Sequence, residues 1–351
     1  MARKSLWLGM LLTLVFLALA FRGVDPAALT RALAQANYWL VIPPVLATAT
    51  GYLVRAARWR VILSSRRPLR FPRVLSVLVI GFAANNVLPA RLGELVRAML
   101  LQRHGGERAA SGLATIFVER VADGLTLLLV LIVLTAADLI PGVPNQFDNL
   151  ELLTAAVFLG LATCIGLALA REQLACRLVE LLVRPLPRRL ARLATSIARG
   201  ILDGLAGMRR PERLALTALL SLLVWLLEGL SYFGLAAAFN LPLDITQRAV
   251  LAGTVLVLVN LSIMIPSAPG YVGTFDFVAK GALVLFGVPP ETALAYAIVS
   301  HTLQYVLVTG AGLVFLAREG LTLRTLLGAP IESRTAAPLA PLEEPVEQVV
   351  P

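Results

Sequence analysis

What this sequence is short of sets the first limits. Only 15% of its residues are charged, against 58% hydrophobic, whereas a water-soluble domain carries about 25% charged residues. Such a chain cannot cover itself with polar surface, which excludes a soluble enzyme fold as the main body. Two cysteines (Cys164, Cys176) and two histidines (His104, His301) in 351 residues are too few for a disulfide framework or a zinc cluster. Acidic residues are outnumbered 21 to 31, and in a chain this apolar the basic excess marks cytoplasmic loops and anionic lipid rather than nucleic acid. A Walker glycine-lysine loop, a Gly-x-Ser-x-Gly elbow, a His-Glu-x-x-His pair and a calcium loop are all missing. An ATP-driven pump is therefore not supported, and no catalytic residue, metal or cofactor is expected.

What is present is a series of apolar runs. A bilayer-spanning helix needs about 20 mainly apolar residues. Runs at 7–21, 38–54, 113–137, 152–170, 214–239, 249–265, 275–288 and 292–317 meet or approach that length. The expected fold class is an all-α polytopic membrane protein of about 7–8 transmembrane helices, with one or two re-entrant broken-helix segments and a possible inverted repeat. The first run follows Arg3 and Lys4, and Ala18-Leu19-Ala20 resembles a signal-peptide cleavage site. Because the rest of the chain is itself embedded, the run is read as a span.

Basic residues orient the spans. Seven arginines crowd positions 55–73, ten more lie between Arg171 and Arg213, and no Lys or Arg occurs between Arg120 and Arg171. Alternating sides puts 24 basic residues inside and only Arg22, Arg31 and Arg248 outside, which places both termini in the cytoplasm of a plasma (inner) membrane. That assignment holds only if 74–101 enters and leaves on one side. The run is interrupted by Asn85-Asn86-Val87-Leu88-Pro89-Ala90-Arg91-Leu92-Gly93-Glu94. Proline lacks an N–H and breaks the helix, so a re-entrant pair of short helices is expected, its break buried in protein or lining a polar cavity.

A second break runs from Pro266 to Asp276 and includes Pro269, Gly270 and Gly273. Two full spans or an outward-opening re-entrant pair both fit the charge pattern there. The second option makes the two halves inverted counterparts, and paired interrupted segments point to a substrate site in transporter folds. Residues 1–328 then form the membrane domain. Within it, 171–213 carries an apolar stripe (Leu190, Leu193, Ile197, Ile201, Leu205, Met208) beside arginines, a cytoplasmic amphipathic connector at the membrane surface or packed on the protein. The Pro-, Ala- and Glu-rich tail 329–351 is expected to be disordered.

Ionisable groups inside a bilayer are costly and usually face a cavity or a partner. Here they cluster: Arg91, Glu94, Arg97, Glu119, Arg120, Asp123, Glu228, Asp276 and Lys280. Helical spacing makes Glu94 and Arg97 neighbours, likewise Arg120 and Asp123, and puts Glu119 and Asp123 on one face. They form structural ion pairs or, near broken backbone, a phosphate-binding environment. Free N–H groups at a half-helix start favour anions, and arginine's planar fork grips two phosphate oxygens. Asn85 and Asn86 either cap a half-helix end or touch substrate. Gly270 and Gly273 supply turn chemistry or close approach. Glu228 needs a buried partner or a proton, and His301 is read as a hydrogen-bonded structural histidine. Arg55, Arg58 and Arg60 with Trp59 are read as an inner-interface anchor, with headgroup binding as the alternative.

Taken in order, several stretches resemble a known family. They are Arg55-Ala-Ala-Arg-Trp59, Gly81-Phe-Ala-Ala-Asn-Asn-Val-Leu-Pro-Ala-Arg-Leu-Gly-Glu-Leu-Val-Arg97, Val118-Glu-Arg-Val-Ala-Asp-Gly-Leu125, Pro266-Ser-Ala-Pro-Gly-Tyr-Val-Gly-Thr-Phe-Asp276 and Leu285-Phe-Gly-Val-Pro-Pro-Glu-Thr-Ala-Leu294. Over roughly residues 5–320 the chain resembles the flippase-like transmembrane region of lysylphosphatidylglycerol synthases. The family's last motif commonly runs Pro-Gly-Gly-x-Gly with a following Glu; here Tyr271 and Asp276 stand in those places. In fused relatives a separate cytosolic domain attaches lysine to phosphatidylglycerol, and the membrane region is thought to move the product. No such domain is recognisable here, so the resemblance implies lipid translocation or headgroup binding rather than aminoacyl transfer.

The leading expectation is a flippase-like carrier for an anionic or aminoacylated phospholipid, or a polyprenyl-phosphate-linked lipid. Its polar cavity lies between the two breaks. Arg91, Arg97 and Lys280 contact a headgroup phosphate there, while Glu94, Glu119, Asp123 and Asp276 balance charge. The alternatives are a membrane enzyme of lipid modification, or a subunit bound to a separate synthase or glycosyltransferase. Self-association is also open.

Overall fold

The computed structural model describes residues 2–63, 69–88, 92–104, 109–141, 210–262 and 269–321, with scattered single positions from 156 to 195. The run 152–170 and the connector 171–213 lie largely outside the described residues. Arg91 and the tail 329–351 lie wholly outside them.

Among the described residues the fold is all-helical. Helix α1 (Ala2–Phe21) is bent by 82° against α2 (Pro26–Gln35). The turn between them passes through Gly23 at φ 71°. Pro26 opens α2, and Asp25 accepts the Ala27 N–H at 3.0 Å as its cap. A short 3₁₀ turn (Tyr38–Val41) leads into α3 (Ile42–Ile62), which starts on a pair of prolines, where a missing N–H does no harm. Then come α4 (Phe71–Val87), α5 (Gly93–Arg103) and α6 (Ala109–Ala136). After these follow α7 (Pro211–Ala238), α8 (Ile245–Ser262), a 3₁₀ turn (Pro269–Tyr271), α9 (Thr274–Leu285) and α10 (Pro290–Arg318).

By length and composition four described helices can cross a membrane: Tyr38–Ile62, Pro211–Ala238, Ile245–Ser262 and Pro290–Arg318. The bent α1–α2 pair makes a fifth if it counts as one span. Helix α6 is 28 residues long and carries Glu119, Arg120 and Asp123 along it. With 11 and 12 residues, α5 and α9 reach only about 16 and 18 Å at 1.5 Å per residue, well short of a ~30 Å hydrocarbon core. Each folds back on the helix before it, α5 on α4 and α9 on α8. The result is two helical hairpins, one at each break.

Long helices tie the hairpins together crosswise. Helix α3 runs antiparallel to α7, as three side-chain pairs show: Thr48–Ser231 at 3.1 Å, Arg55–Glu228 at 3.2 Å and Arg58–Ser221 at 2.9 Å. Helix α4 packs antiparallel on α10, bonded by Ser76–Glu319 and Asn86–Thr309, while α8 packs on α6. Polarity is distributed opposite to that of a soluble protein. Leu14 and Leu226 are 63% and 67% exposed, whereas Arg58 and Glu119 are fully buried. Apolar side chains face outward toward lipid, and the charges face inward.

Candidate functional site

The first break is built by α4 and α5 closing on each other. Gly81 and Gly93 face across the hairpin so tightly that a β-carbon on Gly93 would strike the Gly81 carbonyl. This approach brings the start of α5 to the end of α4, where the Asn85 Oδ1 accepts the Gly93 N–H at 2.8 Å. Asn85 therefore caps the second half-helix. Replacing it with Ala is expected to cost ~1 kcal/mol, read as a lowered thermal midpoint in detergent; an unchanged midpoint would remove the capping role. Asn86 donates instead to Thr309 on α10 at 3.0 Å.

At the second break the chain turns through left-handed backbone at Gly270, Tyr271 and Gly273 (φ 77°, 59° and 82°). A β-carbon at Gly270 would sit 2.7 Å from the Tyr305 ring and 3.3 Å from the Asn86 carbonyl. Gly270 is thus where the two breaks touch. The Gly273 N–H is taken by Asp276, whose Oδ2 accepts it at 2.9 Å at the start of α9. His301 on α10 bridges the break, with Nδ1 against Asp276 (3.2 and 3.3 Å) and Nε2 against the Gly270 carbonyl (2.7 Å).

Beside the first break lies a buried network of charge. Arg97 grips Glu119 with both prongs, at 3.2 and 2.8 Å, and lays its guanidinium 4.2 Å over the Trp59 ring. Glu119 also meets Arg120 at 2.7 Å and Arg58 at 3.6 Å. Asp123 accepts from Arg58 at 2.6 Å and from the Trp225 indole at 3.0 Å, and pairs with Arg120 at 3.4 Å. Arg55 pairs with Glu228 and lies 5.0 Å over Trp225. Buried charges persist only when paired and hydrogen-bonded, and here each carboxylate is matched by at least one arginine.

Between this network and the two breaks is a cavity of about 410 Å³. Its charged wall is Arg55, Glu94, Arg120, Asp123 and Glu228, with amides from Asn85, Asn86, Asn260 and Gln304. Tyr52, Trp225 and Tyr305 line it, as do Gly270 and His301. The buried Nε atoms of Arg55 and Arg120 have no hydrogen-bond partner among the described residues. Glu94 makes no ion pair with another described residue.

The sequence-derived candidates divide accordingly. Asn85, Asn86, Glu94, Arg120, Asp123 and Gly270 line the cavity. Glu119 and Arg97 stand behind its wall, each committed to the other. Asp276 reaches the cavity through His301, while Pro269 is exposed on the 3₁₀ turn and Gly273 packs on the α1 backbone at Thr13 and Leu17. Lys280 is elsewhere: its ammonium donates to the carbonyls of Ala20 and Arg22 at 2.8 and 2.9 Å and so caps α1. Neither Arg97 nor Lys280 is placed to reach a headgroup phosphate in the cavity. Arg55 and Arg58 are not an interface anchor. They are buried in α3 and hold the network together, and only Arg60 of that group is exposed. Tyr52, Gln304 and Tyr305 carry no motif that sequence reasoning could have used.

A family model described as the lysylphosphatidylglycerol synthase TM region matches residues 6–312. A "UPF0104 membrane protein" of Methanothermobacter thermautotrophicus is 28% identical over 309 residues, covering 83% of this chain and 87% of that one. "Glycosyltransferase AglD" of Haloferax volcanii is 26% identical over 366 residues, covering 95% of this chain but 57% of the relative. No solved structure matches the chain.

Proposed function

Since the chain belongs to the lysylphosphatidylglycerol synthase TM region family, we propose that it carries a lipid headgroup between leaflets of the plasma membrane through the cavity between its two breaks. The lipid's tails stay in the bilayer, so only the headgroup needs a polar path. Arg120 and Arg55 offer guanidinium N–H groups to a phosphate, with the Asn85 and Asn86 amides in the same wall. Glu94 and Asp123 balance that charge or receive a cationic substituent, as an aminoacylated headgroup would bring. The observation that carries this reading is the wall itself: Arg55, Arg120 and the Glu94 carboxylate line a cavity inside an outwardly apolar bundle. Intramembrane charge lining a cavity marks a substrate path.

The same reading takes residues 1–328 as one membrane domain with re-entrant hairpins at α4–α5 and α8–α9, six of the eight apolar runs crossing fully, and both termini cytoplasmic. An inverted repeat of α3–α6 and α7–α10 is part of it. The crosswise packing supports the repeat. Exchanging the two sets maps α4 on α10 onto α8 on α6, and maps α3 onto the antiparallel α7. Only an axis lying in the membrane plane relates two helices in that way.

The test is movement of fluorescent phosphatidylglycerol in proteoliposomes. Glu94→Gln and Arg120→Gln are expected to slow it about tenfold or more, the loss that follows removal of a charged hydrogen-bond partner. Equal rates in all three proteins would remove the site assignment. A second reading is a membrane subunit serving a separate synthase or glycosyltransferase. It is favoured by the likeness to AglD, which takes in 95% of this chain and 57% of that relative. Co-purification of such an enzyme, with no lipid movement by the chain alone, would decide for it.

A further inference from the structure

The imidazole of His301 faces two acceptors, and that fixes a proton count. Its Nε2 is 2.7 Å from the Gly270 carbonyl, and its Nδ1 is 3.2 and 3.3 Å from the carboxylate oxygens of Asp276. A neutral imidazole carries one N–H, so against an ionised Asp276 it satisfies one acceptor and turns a lone pair toward the other. Both contacts hold together only when the Asp276–His301 pair carries one further proton. Either an imidazolium donates to both oxygens, or a protonated carboxyl donates to Nδ1 while Nε2–H donates to Gly270. The ring has little freedom to evade this choice. Phe275 stacks on it with centroids 4.5 Å apart, Tyr305 meets its edge, and Asp276 is fixed by the Gly273 N–H.

We propose that the Asp276–His301 pair is a proton-binding site whose occupancy latches the second break against the first. When the proton leaves for the water of the cavity, the remaining N–H goes to the charged partner, because bonds to an ionised acceptor are the stronger ones. The Gly270 carbonyl is then released, and with it the contact between Gly270 and Asn86 that closes this side of the cavity. Other titratable groups surround the pair. Tyr305 is on the same helix as His301, Tyr271 is on the 3₁₀ turn, and Tyr232 on α7 accepts from Gln304 of α10. Across the cavity stand Arg55, Glu94, Arg120, Asp123 and Glu228. From α1, Thr13 and Leu17 lie against Gly273.

The proposal rests on the lipid path only for its effect on transport, so its test has two readouts. His104 and His301 are the chain's two histidines, so a full-length His104→Gln protein labelled with ¹⁵N-histidine in phosphatidylglycerol nanodiscs reports on His301 alone. Its ring shifts are expected to change in one step as pH rises from 5 to 9, and to stay fixed in the added Asp276→Asn variant. There the Asn amide donates to Nδ1 and reproduces the latched arrangement without a titrating carboxyl. Ring shifts constant across that range in the protein with Asp276 overturn the proposal. In proteoliposomes, movement of fluorescent phosphatidylglycerol is expected to rise about tenfold over the same range, the worth of one lost hydrogen bond. It should be slow and pH-independent in Asp276→Asn, and fast and pH-independent in His301→Ala. One pH profile shared by all three overturns the latch. If His301→Ala does not fold, Asp276→Asn decides alone, since it keeps the bonds to His301 and to the Gly273 N–H. If no lipid moves in any protein while the ring still titrates, the lipid path fails and the proton site stands.

Discussion

Glu119→Gln is expected to lower stability by ~3–5 kcal/mol, the cost of removing one partner from a buried charge pair. The position is fully buried, and three guanidiniums converge on its carboxylate: Arg120 at 2.7 Å, Arg97 at 2.8 Å and Arg58 at 3.6 Å. Glutamine keeps the shape and one acceptor oxygen but removes the charge that four buried or half-buried arginines share with Asp123 and Glu228. Arg58 and Arg97 have almost no exposed surface, so for them the penalty is not screened away. The measurement is thermal unfolding in detergent followed by tryptophan fluorescence. Trp59 and Trp225 report locally, because both touch the network. Glu119→Asp, which retains the charge on a shorter arm, should lose less. A Gln variant with an unchanged midpoint would mean that something other than this carboxylate compensates the arginines.

The second large effect is expected at the first break. Gly93→Ala places a methyl group against the Gly81 carbonyl and the Asn85 amide. Backbone cannot step aside as the tip of a flexible side chain can, so α5 must back away from α4. Overpacking of this kind costs ~1–3 kcal/mol. It also pulls the Gly93 N–H off Asn85, and if the chain moves lipid as proposed, that movement is expected to slow. Gly81→Ala should behave alike, because its β-carbon would strike the stem of Arg97, which Glu119 holds in place. Gly281→Ala and Gly310→Ala are the controls. Both sit within helices with nothing inside 4 Å of the added carbon, so each should be neutral or gain up to ~1 kcal/mol from helix propensity. If Gly93→Ala matches those controls in stability and transport, the close α4–α5 contact is not what shapes the site.

Much of this architecture was legible in the residues. Apolar runs and the shortage of charge predict a membrane bundle. Pro89 and the Asn-Asn pair before it mark a helix end, and the structure puts one there. The i,i+3 spacing of Arg120 and Asp123 predicts their pairing, and Glu228 has the buried partner its position demands. What sequence could not supply is which face of a helix turns inward. The charge rule reads Arg55 and Arg58 as residues just past a span ending at 54. Helix α3 instead continues to Ile62, and both arginines lie on its inner face toward α6 and α7. Lys280 looks like a free cation near a break until α1 arrives beside it from 260 residues earlier. His301 lies 25 residues from Asp276, too far along the chain for any local pattern to join them.

The crosswise packing has a consequence for how the chain is made. The α4–α5 hairpin finds its long neighbour in α10, which is synthesised more than 180 residues later in the chain than α5. Until α10 leaves the ribosome, the groove that holds Gly312 against Ala83 is open to lipid. The N-terminal hairpin must therefore wait, unfinished, for the last helix to be inserted, and nascent chains arrested before position 290 leave that hairpin's α10-facing side unfilled.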